Sequence, residues 1–223
     1  TGTNDAPVTV GTIANQNGTD AVAVSIATAG GFSDEEGPLT YSATGLPVGL
    51  NIDPTTGLIT GTLASNASVS GPYSIVVSAT DGVNTPVTQS FDLTVANPAP
   101  TATDDSGAVN EAATLNVSAA NGVILGAGAG AGTDTDPDGD TLVVSQVNGQ
   151  AANVGTAITG TYGDLTLNAN GDYTYVANNA NGIANGATVT DTFTYTVSDG
   201  QGGTDTAQLV LNVTGTNDAP VTV

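Results

Sequence analysis

Residues 45–62 read GLPVGLNIDPTTGLITGT. Two short apolar-alternating runs, Leu50-Asn51-Ile52 and Leu58-Ile59-Thr60, flank Asp53-Pro54-Thr55-Thr56-Gly57. Proline presets φ early in a turn and glycine tolerates the left-handed region, so this spacing predicts a hairpin, not a helix. The pattern recurs further on, where Leu165-Thr166-Leu167 and Tyr173-Thr174-Tyr175 flank Asn168-Ala169-Asn170-Gly171. Phe193, Tyr195 and Val197 alternate with Thr192, Thr194 and Thr196, and Leu39, Tyr41 and Ala43 alternate with polar neighbours. Period-two alternation of β-branched and aromatic residues marks half-buried strands, and the whole chain reads as all-β. The insert Gly126 to Gly132, GAGAGAG, leads straight into an acidic turn and is expected to be a flexible loop.

The segment TGTNDAPVTV stands at 1–10 and again at 214–223, so the chain begins and ends at equivalent joints. A third joint, Asn97-Pro98-Ala99-Pro100, keeps the frame of Asn217 to Pro220 but has Pro98 in place of the aspartate. Two tandem units follow, 1–97 and 98–215, with 216–223 as the start of the linker to another repeat. Both units close on the same device: an Asp-Gly loop, Asp81-Gly82 or Asp199-Gly200, then a final strand bearing Phe91, Leu93, Val95 or Leu209, Leu211, Val213. The expected fold is two antiparallel β-sandwiches joined end to end, cut from something longer.

The chain has no Lys, Arg or His, and its 21 Asp and Glu residues give a formal net charge of -21. No side chain can neutralise these carboxylates, and a surface of one sign opposes the compact state. Yet 39% of residues are hydrophobic and only 9% charged, which is not the composition of a disordered acidic tail. With no cysteine there is neither a disulfide nor a thiolate ligand. The acids cluster at strand ends: Asn4-Asp5 and Asp34-Glu35-Glu36 with Asp81 in the first unit; Asp104-Asp105, then Asp134, Asp136, Asp138 and Asp140 on alternate residues, and Asp199 in the second. Ca²⁺ takes about 6 to 8 oxygen ligands and suits carboxylates converging from several loops, whereas zinc or iron would want His or Cys. An isolated Asp-Gly pair is ordinarily a plain turn; three acidic segments per unit without a single base point to metal. Two known calcium loops do not fit. The EF-hand frame starting at Asp134 reaches Ser145 where its last Glu belongs, and the toxin nonapeptide frame has Ala129 for Gly and Asp136 at its apolar position.

Residues 45–62 with Ala79-Thr80-Asp81-Gly82 resemble the dystroglycan-type cadherin-like, Ig-like repeats of bacterial surface proteins. The second unit, through Asp104-Asp105-Ser106-Gly107, Asp134 to Asp140, Gly160 to Gly163, Phe193 to Gly200 and Gly215 to Pro220, resembles the VCBS repeat, also cadherin-like. The resemblance implies a Ca²⁺-stiffened stalk segment of a long, secreted repeats-in-toxin adhesin on a Gram-negative surface. Matched by position, it assigns Asp34, Glu36 and Asp81 with Asn4 and Asp5 to one ion site, Asp136, Asp138 and Asp199 to a second, and Glu111 with Asn217 and Asp218 to the trailing joint. In the first unit Asn15 or Asn17 stands where the counterpart of Glu111 is expected.

The implied partners are neighbouring repeats of the same chain, and a monomer is expected. The alternative is a Ca²⁺-dependent module for a cell-surface or carbohydrate ligand, which an exposed Tyr73 or Tyr162 beside an ion would favour. Nucleic acid is excluded by phosphate repulsion, and no apolar run is long enough for membrane insertion by a helix. Without His, Cys or Lys there is no imidazole base, thiol nucleophile or Schiff base, so no enzyme is expected.

Overall fold

The structure, a computed structural model, describes residues 4–126, 128 and 130–217. The chain divides into two compact units between Pro98 and Ala99. The first carries β1 (Val8–Thr9), β2 (Gln16–Thr19), β3 (Ala23–Ala27), β4 (Phe32–Ser33), β5 (Thr40–Thr44), β6 (Leu50–Ile52), β7 (Leu58–Thr62), β8 (Tyr73–Thr80) and β9 (Val87–Ala96). One sheet has the order β2-β9-β8-β5, the other β3-β7-β6, and β1 pairs with β4. The second unit carries β10 (Asp105–Asn110), β11 (Thr114–Val117), β12 (Val143–Val147), β13 (Ile158–Thr159), β14 (Asp164–Leu167), β15 (Tyr173–Val176), β16 (Thr188–Ser198) and β17 (Thr204–Thr214). Its sheets run β10-β17-β16-β12 and β11-β15-β14-β13.

The hairpins form where the turn chemistry places them. Ile52 pairs with Ile59 across β6 and β7, Gly57 has φ +65°, and Asp53 Oδ1 accepts the N–H groups of Thr55 and Thr56 at 2.8 Å each. Leu167 pairs with Tyr173, with Gly171 at φ +85°. Alternation along the strands sends one set of side chains inward. Ile59, Ile75, Val77 and Leu93 are fully buried in the first unit; Leu165, Leu167, Tyr175, Leu209 and Leu211 in the second. Each large apolar side chain so buried stabilises by about 1.5–3 kcal/mol.

Each unit departs from all-antiparallel pairing at one place. β2 runs parallel to β9, from Gln16↔Leu93 to Thr19↔Ala96, and β10 runs parallel to β17, from Asp105↔Leu209 to Asn110↔Thr214. Parallel neighbours need a long crossover, and here the rest of the unit supplies it. The leading part of each unit switches sheets: β2 joins one and β3 the other, as do β10 and β11. Both switches use the same turn, with Ala21 and Ala112 each at φ 57°.

The glycine-rich insert forms no strand among its described residues. Gly132 N–H donates to Asp105 Oδ1 (2.7 Å) and Gly130 O accepts from Ser106 N (2.6 Å). A Cβ on Gly132 would collide with Thr103 Cγ2, so glycine permits this close approach to the segment leading into β10.

Candidate metal centres

The acidic run of the second unit folds back on itself. Gly139, at φ +84°, donates its N–H to Asp136 O (3.3 Å), while Asp136 Oδ1 accepts from the N–H groups of Asp138 (3.1 Å) and Asp140 (3.2 Å). The turn brings Asp136, Asp138 and Asp140 together with one carboxylate oxygen of each within 4.8 Å of the others. Asp136 Oδ2 and both Asp138 oxygens are buried without a hydrogen-bond partner. Burial, the close approach of the Asp136 carboxylate and the charges of Asp136 and Asp140 push the Asp138 carboxyl up to about 7. Burial also acts to raise Asp136, but the Asp138 carboxyl and the surrounding N–H groups outweigh it and hold that group below the ordinary value. Asp199, at the β16–β17 turn, accepts from Gln201 N (2.7 Å) and Gly203 N (3.0 Å), and Gln201 Nε2 reaches Asp140 Oδ2. Donors that are all oxygen, converging carboxylates and buried oxygens lacking hydrogens fit a hard cation such as Ca²⁺.

Asp105 and Asp134 lie apart from that cluster. They are buried, 4% and 6% exposed, around the hydroxyl of Tyr195, which donates to Asp105 Oδ2 (2.8 Å) and stands 3.3 Å from both Asp134 oxygens. Gly132 N–H bonds Asp105, and Thr103 N–H bonds Asp134 Oδ1 at 2.8 Å. Burial pushes both carboxyls up to about 6, against the pull of these donors. Asp104 is exposed and accepts from Gln208 N (2.8 Å). These three acids fasten the segment before and at the start of β10 to its neighbours, and their separation from Asp136 was not legible in a run of alternate aspartates.

In the first unit the expected set comes together through hydrogen bonds. Asn4 Nδ2 donates to Asp81 Oδ2 (2.6 Å), Asp5 N to Glu36 Oε2 (2.9 Å), and Glu36 N to Asp34 Oδ1 (2.9 Å). Asp34 Oδ2 is buried and unpartnered. The N–H of Val83 first, then the side chain and N–H of Asn84, lower the Asp81 pKa. Sequence reasoning passed over Asn84, whose Nδ2 joins Asp81 Oδ2 (2.8 Å) to Asp5 O (3.0 Å), and Gln201. Both are uncharged amides shortly after an Asp-Gly pair, which is the signal that could have found them.

At the trailing end, Glu111 is buried, bonds the Thr216 N–H and hydroxyl through Oε1, and leaves Oε2 without a partner. Asn217 is exposed, and Asp218 lies outside the described residues. The first unit's counterpart of Glu111 is Asp20, not Asn15 or Asn17. Asp20 N donates to Ala96 O (3.0 Å) as Glu111 N donates to Thr214 O (2.9 Å), each at the end of the parallel pair and just before the left-handed alanine. Asp20 is 1% exposed; Oδ1 accepts from Ser68 N (2.9 Å) and Oδ2 has no partner. Asn15 instead caps Asp92 N (2.9 Å). Strand register reveals the equivalence, because the spacing to the linkers differs between the units. Tyr73 and Tyr162 are half-buried and packed against the cores of their units, not exposed.

Tandem β-sandwiches with acidic loops at their strand ends define an Ig-like and cadherin-like repeat module. The chain belongs to the bacterial cadherin-like domain family, which matches residues 97–215; residues 6–96 match the family described as Putative Ig domain. Both are domain types, not enzymes. Among curated proteins it is similar to the Calcium-binding lectin RapA2 of Rhizobium johnstonii, 44% identical over 63 residues. That match covers 28% of this chain and spans about a quarter (26%) of the relative. Similar solved structures include titin domains Z1Z2 in complex with telethonin (TM-score 0.45, 13% identity, 96% of this chain and 100% of that one) and the insect immune protein hemolin (0.46, 11%, 93% and 46%). An endo-fucoidan hydrolase of glycoside hydrolase family 107 also matches (0.38, 17%, 95% and 29%). Likenesses at this level say nothing of function.

Proposed function

We propose that this chain is a Ca²⁺-rigidified extender segment of a large, secreted repeats-in-toxin adhesin on a Gram-negative cell surface, supporting adhesion or biofilm formation. The second unit is read as its VCBS-type repeat. The observation that carries the reading is the convergence of Asp136, Asp138 and Asp140 with three buried oxygens that no hydrogen of the chain satisfies. Asp199 completes that site. Asn4, Asp5, Asp34, Glu36 and Asp81 hold an ion in the first unit; Glu111 with Asn217 and Asp218, and Asp20 in its own unit, serve the trailing ends. Asp104, Asp105 and Asp134 act through hydrogen bonds and not as ligands. The resemblance to a calcium-binding lectin over 63 residues supports both the ion and a cell-surface setting. It also supports the alternative, a carbohydrate-binding module, against which stands the packing of the half-buried Tyr73 and Tyr162 onto the cores of their units. Small-angle scattering in EDTA and in millimolar Ca²⁺ tests the proposal. An extended particle whose maximum dimension grows or sharpens with Ca²⁺ is expected, and a compact profile unchanged by the ion would overturn it.

A further inference from the structure

The parallel pairing of an early strand with the last strand of each unit, β2 with β9 and β10 with β17, has a mechanical meaning. A force applied through the two ends of a unit draws β2 or β10 backwards from its start and β9 or β17 forwards from its end. Because the paired strands are parallel neighbours, that force acts along them in opposite senses and loads all their rungs together. Pulled from a single end, the same rungs would open in succession. Individual hydrogen bonds contribute only about 0.5–1.5 kcal/mol net, so resistance comes from having to break many at once. Rupture under load follows the unfolding barrier and not equilibrium stability.

The two units differ in this element. In the first, four residues of β2 face β9, and the Asp20 N–H adds one bond to Ala96 O. In the second, six residues of β10 face β17, the Glu111 N–H adds a bond to Thr214 O, and Asn212 Nδ2 adds a side-chain rung to Gly107 O (3.3 Å). Ahead of β10, carboxylates tie down the leading segment as well: Asp205 Oδ2 accepts from Ala102 N and Asp134 Oδ1 from Thr103 N, both at 2.8 Å. Gly107 is clamped from above, since a Cβ there would meet Tyr173 Oη at 2.8 Å and Leu211 Cδ2 at 2.9 Å. In the first unit the chain ahead of the clamp is held by β1 on β4 over two residues, by Ile13 N on Gln89 Oε1 (3.0 Å) and by Asn15 Oδ1, which accepts from Asp92 N (2.9 Å), so the difference between the units lies in the length of the parallel pair itself.

We propose that the parallel pair in each unit is a clamp loaded in shear, and that the six-residue clamp of the second unit outlasts the four-residue clamp of the first, so that a pulled chain yields in its first unit. The test is single-molecule force spectroscopy on the whole chain in EDTA, where no cation contributes. At about 3.6 Å per residue, opening residues 16–96 frees about 290 Å and opening 105–214 about 400 Å, so each event identifies its unit. The 290 Å event is expected at the lower force; equal forces or the reverse order overturn the proposal. The chain has no cysteine, so Thr204→Cys, at an exposed position beginning β17, provides a unique second handle. Pulling between the N-terminus and this thiol loads β10 and β17 from the same end and unzips them. The second unit's event, now about 360 Å, is expected to fall below the first unit's, which remains in shear as an internal reference. An unchanged order with this handle would show that the parallel pair does not bear the load.

Discussion

Two groups of carboxylates come within two residues of each other in the second unit and solve the same electrostatic problem differently. Asp105 and Asp134 are buried deeply, yet every N–H and O–H that approaches them comes from the chain itself: Tyr195, Gly132 and Thr103. Asp136, Asp138 and Asp140 crowd together, and Asp136 Oδ2 and both Asp138 oxygens are reached by no donor. In a protein without a single cation, a buried acid must either be bonded by neutral donors, keep a proton, or accept an ion from outside. The first group takes the first course, and the second is proposed to take the last. Acidity alone therefore does not mark a ligand; an oxygen without a hydrogen does.

The largest expected effect tests that division. Excess Ca²⁺ raises the melting temperature, each site adding ~2.7 kcal/mol at about 100 times its dissociation constant, with Mg²⁺ doing little. Asp136→Ala with Asp138→Ala removes the second unit's share. Equal melting in EDTA and Ca²⁺ would break the comparison on one side. Tyr195→Phe would break it on the other: it leaves Asp105 and Asp134 short of their shared donor and is expected to cost about 1–3 kcal/mol in urea unfolding, with or without Ca²⁺. A loss that Ca²⁺ restores would make that pair an ion site too.

Proton linkage provides a third, smaller signal. With Asp105 and Asp134 at about 6 and Asp138 at about 7 in the folded state, against an ordinary 3.8, the folded protein binds more protons than the unfolded one between about pH 4 and pH 7. Ion-free stability should fall as pH rises through that window, and Ca²⁺ should flatten the fall by displacing the Asp138 proton. The lowered groups, Asp53, Asp81, Asp136 and Asp164, act only below about pH 4, where their contribution is lost as pH drops. A melting temperature that climbs from pH 5 to pH 7 in EDTA would contradict the assignment. Smallest is Gln201→Ala, which removes one amide from Asp140 and is expected to lower ion-free stability by about 0.5–1.5 kcal/mol while keeping the Ca²⁺ response.

The sandwiches were legible because alternation and turn residues are local: the loops after Ile52 and after Leu167 could be read from five and four residues. The parallel pairs were not, since nothing in Gln16–Thr19 or Asp105–Asn110 announces a partner at the far end of its unit. For the same reason Asp20 escapes a reading of the sequence, its equivalence to Glu111 existing only in strand register. Alternate aspartates in a tight turn signal a gathering of carboxylates at Asp136, but spacing alone also groups Asp134 with them, whereas the backbone turns it inward to Tyr195. Asn84 and Gln201 escape because a search for charge does not see amides.

The side-by-side parallel strands, β2 with β9 and β10 with β17, also govern how such a chain can change over generations. A unit that takes the polypeptide in at the start of β10 and releases it at the end of β17 sets it down at the opposite end, facing onward. Duplication or loss of one such unit in the gene needs no rerouting of the chain and no new fold, only another joint like the TGTNDAPVTV that stands at both ends of this segment. On the proposed extender reading, reach is counted in copies.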